Sequence, residues 1–429
     1  MKKIVSKDLD FDSQLEDILS LDRGIPSDIG ETVKNIIEDV KDNGDAAVIR
    51  LTNKLDNNNL GLNDLLVTTE EIEAATKDIS NELKAAIQLS HDRVTAYHKK
   101  QMPSDLSYKD DLGIELGFFW NSIESAGVYV PGGTASYPSS VIMNAVPAKV
   151  AGVEKIIMVT PANAGTINPL VLYAAKISGV DKIFKIGGAQ AVAALAYGTK
   201  TIDTVDVIVG PGNAYVAEAK KIVYGDVGID MVAGPSEILV IADKNQDARN
   251  IAADLISQAE HDISAQSIFI TDTMTLADEV ELEVAEQLAN LPRKEIAAKS
   301  WSDNGAIIVV ENIDEAIKVS NKFAPEHLEL MVDNAKSYLK KIKNAGAVFL
   351  GAYTPEAIGD YIAGPSHVLP TSKAAKYSSG LSVFDFLKRT SIAECSSENL
   401  NQIGPAAKEI AVNEGCLLYT SDAADEGLG

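Results

Sequence analysis

From Gly127 onward, short runs of β-branched and other apolar residues recur, most closed by glycine, proline or aspartate and followed by a stretch with helical spacing. They fall at 127–133 (GVYVPGG), 155–161 (KIIMVTP), 182–188 (KIFKIGG), 206–213 (DVIVGPGN) and 238–243 (ILVIAD), then at 266–272, 305–310, 327–332 and 346–351. A strand that is apolar at nearly every position, not only at alternate ones, is covered on both faces, and such strands alternating with helices build parallel sheets. The expected fold is α/β, with two doubly wound, incomplete Rossmann-like parallel-sheet domains over residues 127–236 and 237–380 and a cleft between them. Residues 1–126 carry apolar positions at helical spacing, as in Ile36, Ile37 and Val40, and read as a helical segment packing with the 237–380 domain. The rhythm repeats, but no self-similarity is strong enough to indicate internal duplication.

At 429 residues the chain has room for two or three domains. Its 38 Lys and Arg against 62 Asp and Glu leave a net charge of −24, which repels phosphate backbones and anionic lipid, so neither nucleic acid nor a membrane is an expected partner. No uninterrupted apolar run approaches the ~20 residues of a membrane-spanning helix. The N-terminus MKKIVSKDLDFD lacks the apolar stretch of a secretory signal. Cys395 and Cys416 are the only cysteines and form no CxxC pair, which fits a reducing, cytoplasmic setting.

Three glycine-rich turns, 131–133, 187–188 and 210–213, set backbone amides where anionic cofactor groups bind, at the carboxyl ends of strands. None completes GxGxxG, since Tyr215 stands at the third glycine position after Gly210 and Gly212, so by themselves they fit nucleotide binding or ordinary strand-to-helix turns. Gln258 and His261, at i and i+3, share a helix face and form either a metal-binding pair or a buried hydrogen-bonded one. The absence of HExxH argues against a zinc protease. Glu326 and His327 adjoin at the start of an apolar run; they suit general acid–base chemistry if they lie in a turn, but would diverge within a strand. Asp360 and His367 lie seven residues apart in a Gly- and Pro-rich loop. Three of the five histidines thus fall in the second half, each near a carboxylate or carboxamide, whereas His91 and His98, beside Lys99 and Lys100, read as solvated surface residues.

The segments 124–153, 185–199 (KIGGAQAVAALAYGT), 209–221 (VGPGNAYVAEAKK), 231–243 (MVAGPSEILVIAD), 256–262 (ISQAEHD), 324–330 (APEHLEL) and 358–371 (IGDYIAGPSHVLPT) resemble histidinol dehydrogenases, a resemblance running from about residue 20 to Gly415. It implies an NAD-dependent enzyme with one Zn2+ per subunit that oxidises L-histidinol through L-histidinal to L-histidine, the last step of histidine biosynthesis. It also implies a homodimer in which the C-terminal segment, residues 381–415, is swapped into the partner's active site.

Carried over by position, Tyr129, Gln190 and Asn213 match NAD contacts; Ser236, Gln258, His261, His327, Asp360, His367 and Glu414 match substrate contacts; Gln258, His261 and Asp360 match zinc ligands. Glu326 and His327 match the catalytic pair, the glutamate activating water and the histidine acting as general base on a zinc-held substrate.

One position departs. The family's further zinc ligand is a histidine five residues beyond Glu414, where this chain has Tyr419. The helical pattern also stops at Gly415, so residues 416–429 read as a non-native tail, the alternative being a natural variant with a weaker metal site. The functional alternatives are a catalytically impaired protein that still binds zinc and NAD, and a zinc hydrolase using Glu326.

Overall fold

The computed structural model describes residues 1–21, 23, 29–56, 58–132, 137–292 and 294–416. Tyr419, and the expectation attached to residues 417–429, lie outside the described residues.

The chain opens with β1 (Lys2–Val5), and β2 (Leu106–Lys109) and β3 (Glu115–Ser122) follow the N-terminal helices. The first parallel sheet comprises β4 (Ser125–Tyr129), β5 (Lys155–Val159), β6 (Lys182–Phe184), β7 (Val207–Val209) and β8 (Gly228–Ile229). A second is built from β9 (Glu237–Ala242), β10 (Gln266–Thr271), β11 (Ala306–Val309), β12 (His327–Met331) and β13 (Ala347–Leu350), and β14 (Leu387–Glu394) comes last. All nine apolar runs form strands, four in the first sheet and five in the second.

The first sheet is ordered β6-β5-β4-β7-β8 and the second β11-β10-β9-β12-β13, the same winding in both halves. β1 extends the second sheet by pairing in parallel with β11, Lys2 opposite Ala306. The residues expected to form only a helical segment therefore also supply an edge strand. A third, antiparallel sheet, β14-β3-β2, was not expected.

Alternation along each strand feeds two separate cores. In the first sheet Ala126, Val128, Ile156 and Met158 enter one, while Tyr129, Ile157, Val159 and Ile208 enter the other. In the second sheet Leu239, Ile241, Ile268 and Ile308 oppose Ile238, Val240, Phe269 and Ile307 in the same way. This two-sided covering is why the strands read as continuous apolar runs.

The N-terminal helices divide between the halves. Phe11–Leu19 packs beside β1, whereas Ile29–Asn43 lies on helices Gly188–Tyr197 and Ala214–Val223 of the first half. Helix Asn81–Lys99 packs on Pro138–Ala151 and buries Ile87, Ser90, Val94 and His98. His98 is thus not a solvated surface residue: it is fully buried, its Nδ1 2.8 Å from the Val94 carbonyl.

Candidate active site

β9 and β12 are neighbours in the second sheet, with His327 opposite Ile238, so the residues at their amino ends meet. Glu237, the first residue of β9, anchors two of them through its backbone. Its N–H donates to Glu326 Oε2 at 2.8 Å, and its carbonyl accepts from His327 Nδ1 at 2.9 Å. Glu326 precedes the strand, so the divergence of adjacent strand residues does not separate the pair. The Glu237 carboxylate is held from behind by the Arg23 guanidinium and by the Ser372 N–H, the latter at 3.1 Å. The His327 ring stacks on Phe349, centroids 6.0 Å apart. With Nδ1 donating, Nε2 is the acceptor of the neutral ring.

Carboxylates surround this imidazole. Glu356 Oε1 lies 3.3 Å and Glu326 Oε2 3.7 Å from Nδ1, and Asp360 Oδ1 lies 3.3 Å from Nε2. Burial alone would lower His327, but Glu356, Glu326 and Asp360 outweigh it and raise the imidazole well above its ordinary range. Burial pushes Glu326 up to about 8 and Glu356 up to about 7, each against the pull of His327. Burial also acts to raise Asp360, yet His327, with help from His367 and His261, keeps it below the usual carboxylate value. His367 is lowered by burial. Deeper in, Glu329 on β12 is pushed up to about 9 by burial and by Asp254 and Glu356, and it accepts the Glu356 N–H at 2.6 Å.

Gln258 is buried near the end of helix Ala248–Ala259, and its Nε2 lies 3.3 Å from Nδ1 of the exposed His261. Gln258 Oε1, Asp360 Oδ1, His327 Nε2 and Glu356 Oε2 are all sealed from solvent without a hydrogen-bond partner. Orphaned buried acceptors are costly, and those of His327, Glu356 and Asp360, close to one another, suit a cation. His327, Glu356 and Asp360 offer ligand atoms within 4.8 Å of one another; of the expected ligand trio, Asp360 belongs to this cluster too.

The loop carrying Asp360 and His367 bridges to the first half. Ser366 Oγ donates to the Met143 carbonyl at 3.2 Å, Ser90 Oγ to the Tyr361 carbonyl at 2.6 Å, and Arg93 Nε to the Ile362 carbonyl at 2.6 Å. His367 Nδ1 lies 3.1 Å from the Asp360 carbonyl, folding the loop on itself. Ser236, half-buried, lies next to Glu237. Glu414 is exposed at the end of helix Ser397–Asn413 and has no hydrogen bond or ion pair with the others among the described residues.

At the carboxyl edge of the first sheet, a cavity of about 740 Å³ is lined by Tyr129, Gly188, Gln190 and Asn213, among others. The Tyr129 hydroxyl accepts the Gly188 N–H at 3.0 Å, and burial pushes its pKa up to about 12. Gln190 is fully buried with neither amide atom partnered. Asn213 caps helix Ala214–Val223, its Oδ1 accepting the Tyr215 and Val216 N–H groups at 3.1 and 3.2 Å, which leaves its amide NH2 for a ligand. The adjoining turn needs glycine at 210: φ is +111°, and a Cβ there would lie 2.1 Å from the Tyr129 carbonyl oxygen. A buried ion pair latches that turn, Lys220 Nζ reaching Asp230 and the Gly210 carbonyl (3.0 Å) while Asp230 accepts the Gly210 N–H at 2.8 Å.

The cluster thus joins Glu326, His327, Asp360 and His367, and the cavity joins Tyr129, Gln190 and Asn213. Sequence reasoning missed Glu237, Glu356, Glu329, Arg23 and the Lys220–Asp230 latch. Glu329 did leave a trace, as a charge inside the apolar run HLELM.

A buried acid–base cluster on one parallel sheet, joined by a loop to a second half whose parallel sheet carries a glycine-turn cavity, defines an α/β enzyme. The family described as Histidinol dehydrogenase matches residues 23–424. Histidinol dehydrogenases from Rhodopseudomonas palustris and Bradyrhizobium diazoefficiens are 53% and 54% identical over 406 residues, covering 95% of this chain and 94% of each relative. The crystal structure of histidinol dehydrogenase from Elizabethkingia anophelis aligns with a TM-score of 0.94 and 36% identity over 99% of this chain and 97% of that one. The chain belongs to the histidinol dehydrogenase family and is an oxidoreductase.

Proposed function

We propose that the protein oxidises L-histidinol through L-histidinal to L-histidine with NAD, completing histidine biosynthesis, with zinc holding the substrate. The observation that carries the reading is the pair Glu326 and His327, both aimed by the backbone of Glu237. Gln258, His261 and Asp360 would hold the zinc, and the orphaned oxygens of Gln258 and Asp360 fit that role. Tyr129, Gln190 and Asn213 would hold NAD, and the unpartnered Gln190 amide fits a ligand not contained in the protein itself. When bound, zinc supplies a fixed anchor for the imidazole and amino nitrogens of the substrate, and NAD supplies the hydride acceptor.

His327 Nε2 accepts the alcohol proton as hydride departs, while Nδ1 keeps its hydrogen bond to the Glu237 carbonyl. Engaging Asp360 elsewhere withdraws one of the carboxylates that hold the imidazole protonated, and so frees Nε2 as a base. The aldehyde must add water before it can give up a second hydride. Glu326, held near neutrality by burial, has the basicity to deprotonate that water, and His327 then takes the hydrate's proton. Ser236, His367 and, from the partner subunit's chain, the residue equivalent to Glu414 complete the substrate contacts.

Helix Ser397–Asn413 leaves Ile403, Ile410 and Val412 exposed, which supports a homodimer with an exchanged segment at 381–415. Cys395 and Cys416 are free, in keeping with a cytoplasmic enzyme. Among the described residues no helix is long and apolar enough to cross a membrane. With Tyr419 at the position of the family's histidine, the zinc site is weaker than in a protein with histidine there.

The test is the NADH formed per L-histidinol consumed by the zinc-loaded protein in excess NAD. About two per substrate is the result expected of a four-electron oxidation. No NADH from this chain or from its Tyr419→His variant would overturn the reading.

A further inference from the structure

Three carboxyls stand one structural repeat away from residues of the candidate site. Asp254 precedes Gln258 by one turn of helix Ala248–Ala259, and Glu329 follows His327 by two positions on β12. Glu356 precedes Asp360 by one turn, along Glu356–Ile358 and the helical turn that continues it. Side chains at these spacings share a face, so each carboxyl points to the same side of its element as the site residue beside it.

Glu329 is the member whose place the packing does not explain. Val240 is its partner on β9, and its side chain falls on the face of the sheet where Ile238, Val240 and Met331 pack with Leu255 and Ile256 of helix Ala248–Ala259. A leucine would fill that place without desolvating a carboxyl. The glutamate instead makes two ties. Its Oε1 accepts the buried Glu356 N–H at 2.6 Å, and its carboxyl is hydrogen-bonded to that of Asp254, a bond that needs one proton between the two groups. Strand pairing fixes β12, but neither the helix nor the turn belongs to a sheet. The strand of His327, the helix of Gln258 and the turn of Asp360 therefore meet on one buried side chain.

We propose that Glu329 is a positioning residue that sets the spacing of Gln258 and Asp360 from His327. The proposal rests on reading Gln258 and Asp360 as zinc ligands. Groups hydrogen-bonded behind metal ligands fix their orientation, and loss of such support lowers metal affinity by about 10- to 100-fold. Glutamine in place of Glu329 keeps both ties, its carbonyl accepting the Glu356 N–H and its NH2 donating to Asp254, whereas leucine keeps the bulk and breaks both.

The experiment compares the parent full chain with Glu329→Gln and Glu329→Leu, measuring zinc affinity by chelator competition and, on the metal-free protein, backbone hydrogen exchange of the segment 354–363. Glu329→Leu is expected to bind zinc about 10- to 100-fold more weakly and to exchange that segment about tenfold faster, with a melting temperature no lower than the parent's, since leucine suits the apolar face. Glu329→Gln is expected to match the parent in both readouts. At the half-buried Asp254, outside the sheet, Asp254→Ala breaks one tie and Asp254→Asn keeps it, so this pair decides the matter if the leucine variant does not fold. Parent-like zinc affinity in Glu329→Leu, or in Asp254→Ala where that pair decides, overturns the proposal, as does a loss in Glu329→Gln equal to that in Glu329→Leu. If the parent itself binds no zinc, the zinc reading falls and exchange alone decides: an unchanged rate in Glu329→Leu or Asp254→Ala then overturns the tie as well.

Discussion

The two parallel sheets share one strand order but use opposite ends. In the first, a cavity lies past the carboxyl ends of β4 and β7, where glycine turns and a helix cap expose backbone groups. In the second, the acid–base cluster lies at the amino ends of β9 and β12, where buried carboxylates gather round an imidazole that the Glu237 backbone holds in place. The winding creates a crevice between the first and fourth strands in either case. Which end carries chemistry follows from what is mounted there: neutral dipoles suit a ligand that must come and go, and buried charges suit proton transfer.

Changes that separate the halves break or sharpen this comparison. The largest effect is expected from His327→Asn, which lowers kcat about a thousandfold while calorimetry shows NADH affinity intact; a parallel loss of NADH binding would show that the two ends are not independent. Lys220→Met leaves Asp230 charged and buried, and urea denaturation is expected to show about 3–5 kcal/mol of lost stability together with weaker NADH binding. If the stability cost is under about 1 kcal/mol, the latch is not what holds the Gly210 turn. Arg23→Ala removes the support behind Glu237, and steady-state kinetics is expected to show kcat reduced about tenfold with NADH affinity unchanged.

The smallest effect is on pH dependence. Glu329, held up to about 9, keeps its proton in the fold where the unfolded chain, with its ordinary value of 4.5, has released it. The folded state then binds more protons, so this contribution is complete below the unfolded value and is lost as pH rises toward the folded one. Glu326 and Glu356 act in the same direction. The melting temperature of zinc-free protein falls by a few degrees between about pH 6 and about pH 9, and Glu329→Gln makes that slope shallower, as scanning calorimetry can check.

Nine of the eleven strands of the parallel sheets were legible because covering on both faces leaves an uninterrupted apolar signature. The antiparallel sheet was not. β3 is half-buried along its length, and its partner β14 is almost wholly exposed and pairs Leu387 with Ser122 across most of the chain, a match that no local pattern announces. β1 was missed because Lys2 and Lys3 make four residues look like a solvated terminus. His98 was misread from its lysine neighbours, although its spacing from Val94 places it on the buried helix face. In the site, Glu326, His327, Asp360 and His367 were marked by their types and proximity, and the resemblance assigned their roles. Glu237 and Glu356 were hidden because their approach to His327 depends on the register of β9 with β12 and on the path of a loop.

The pairing of β1 with β11 also constrains the order in which the molecule is made. Lys2 precedes the whole first half in the chain, yet its partner Ala306 follows that half. That half, whose own strands lie close together in sequence, is complete long before the sheet that flanks it, while Ile4, destined for the second core, waits uncovered. The first half is in effect an insert within a domain that closes late, and the amino ends of β9 and β12, where the acid–base cluster assembles, lie in the part of the chain that follows that insert.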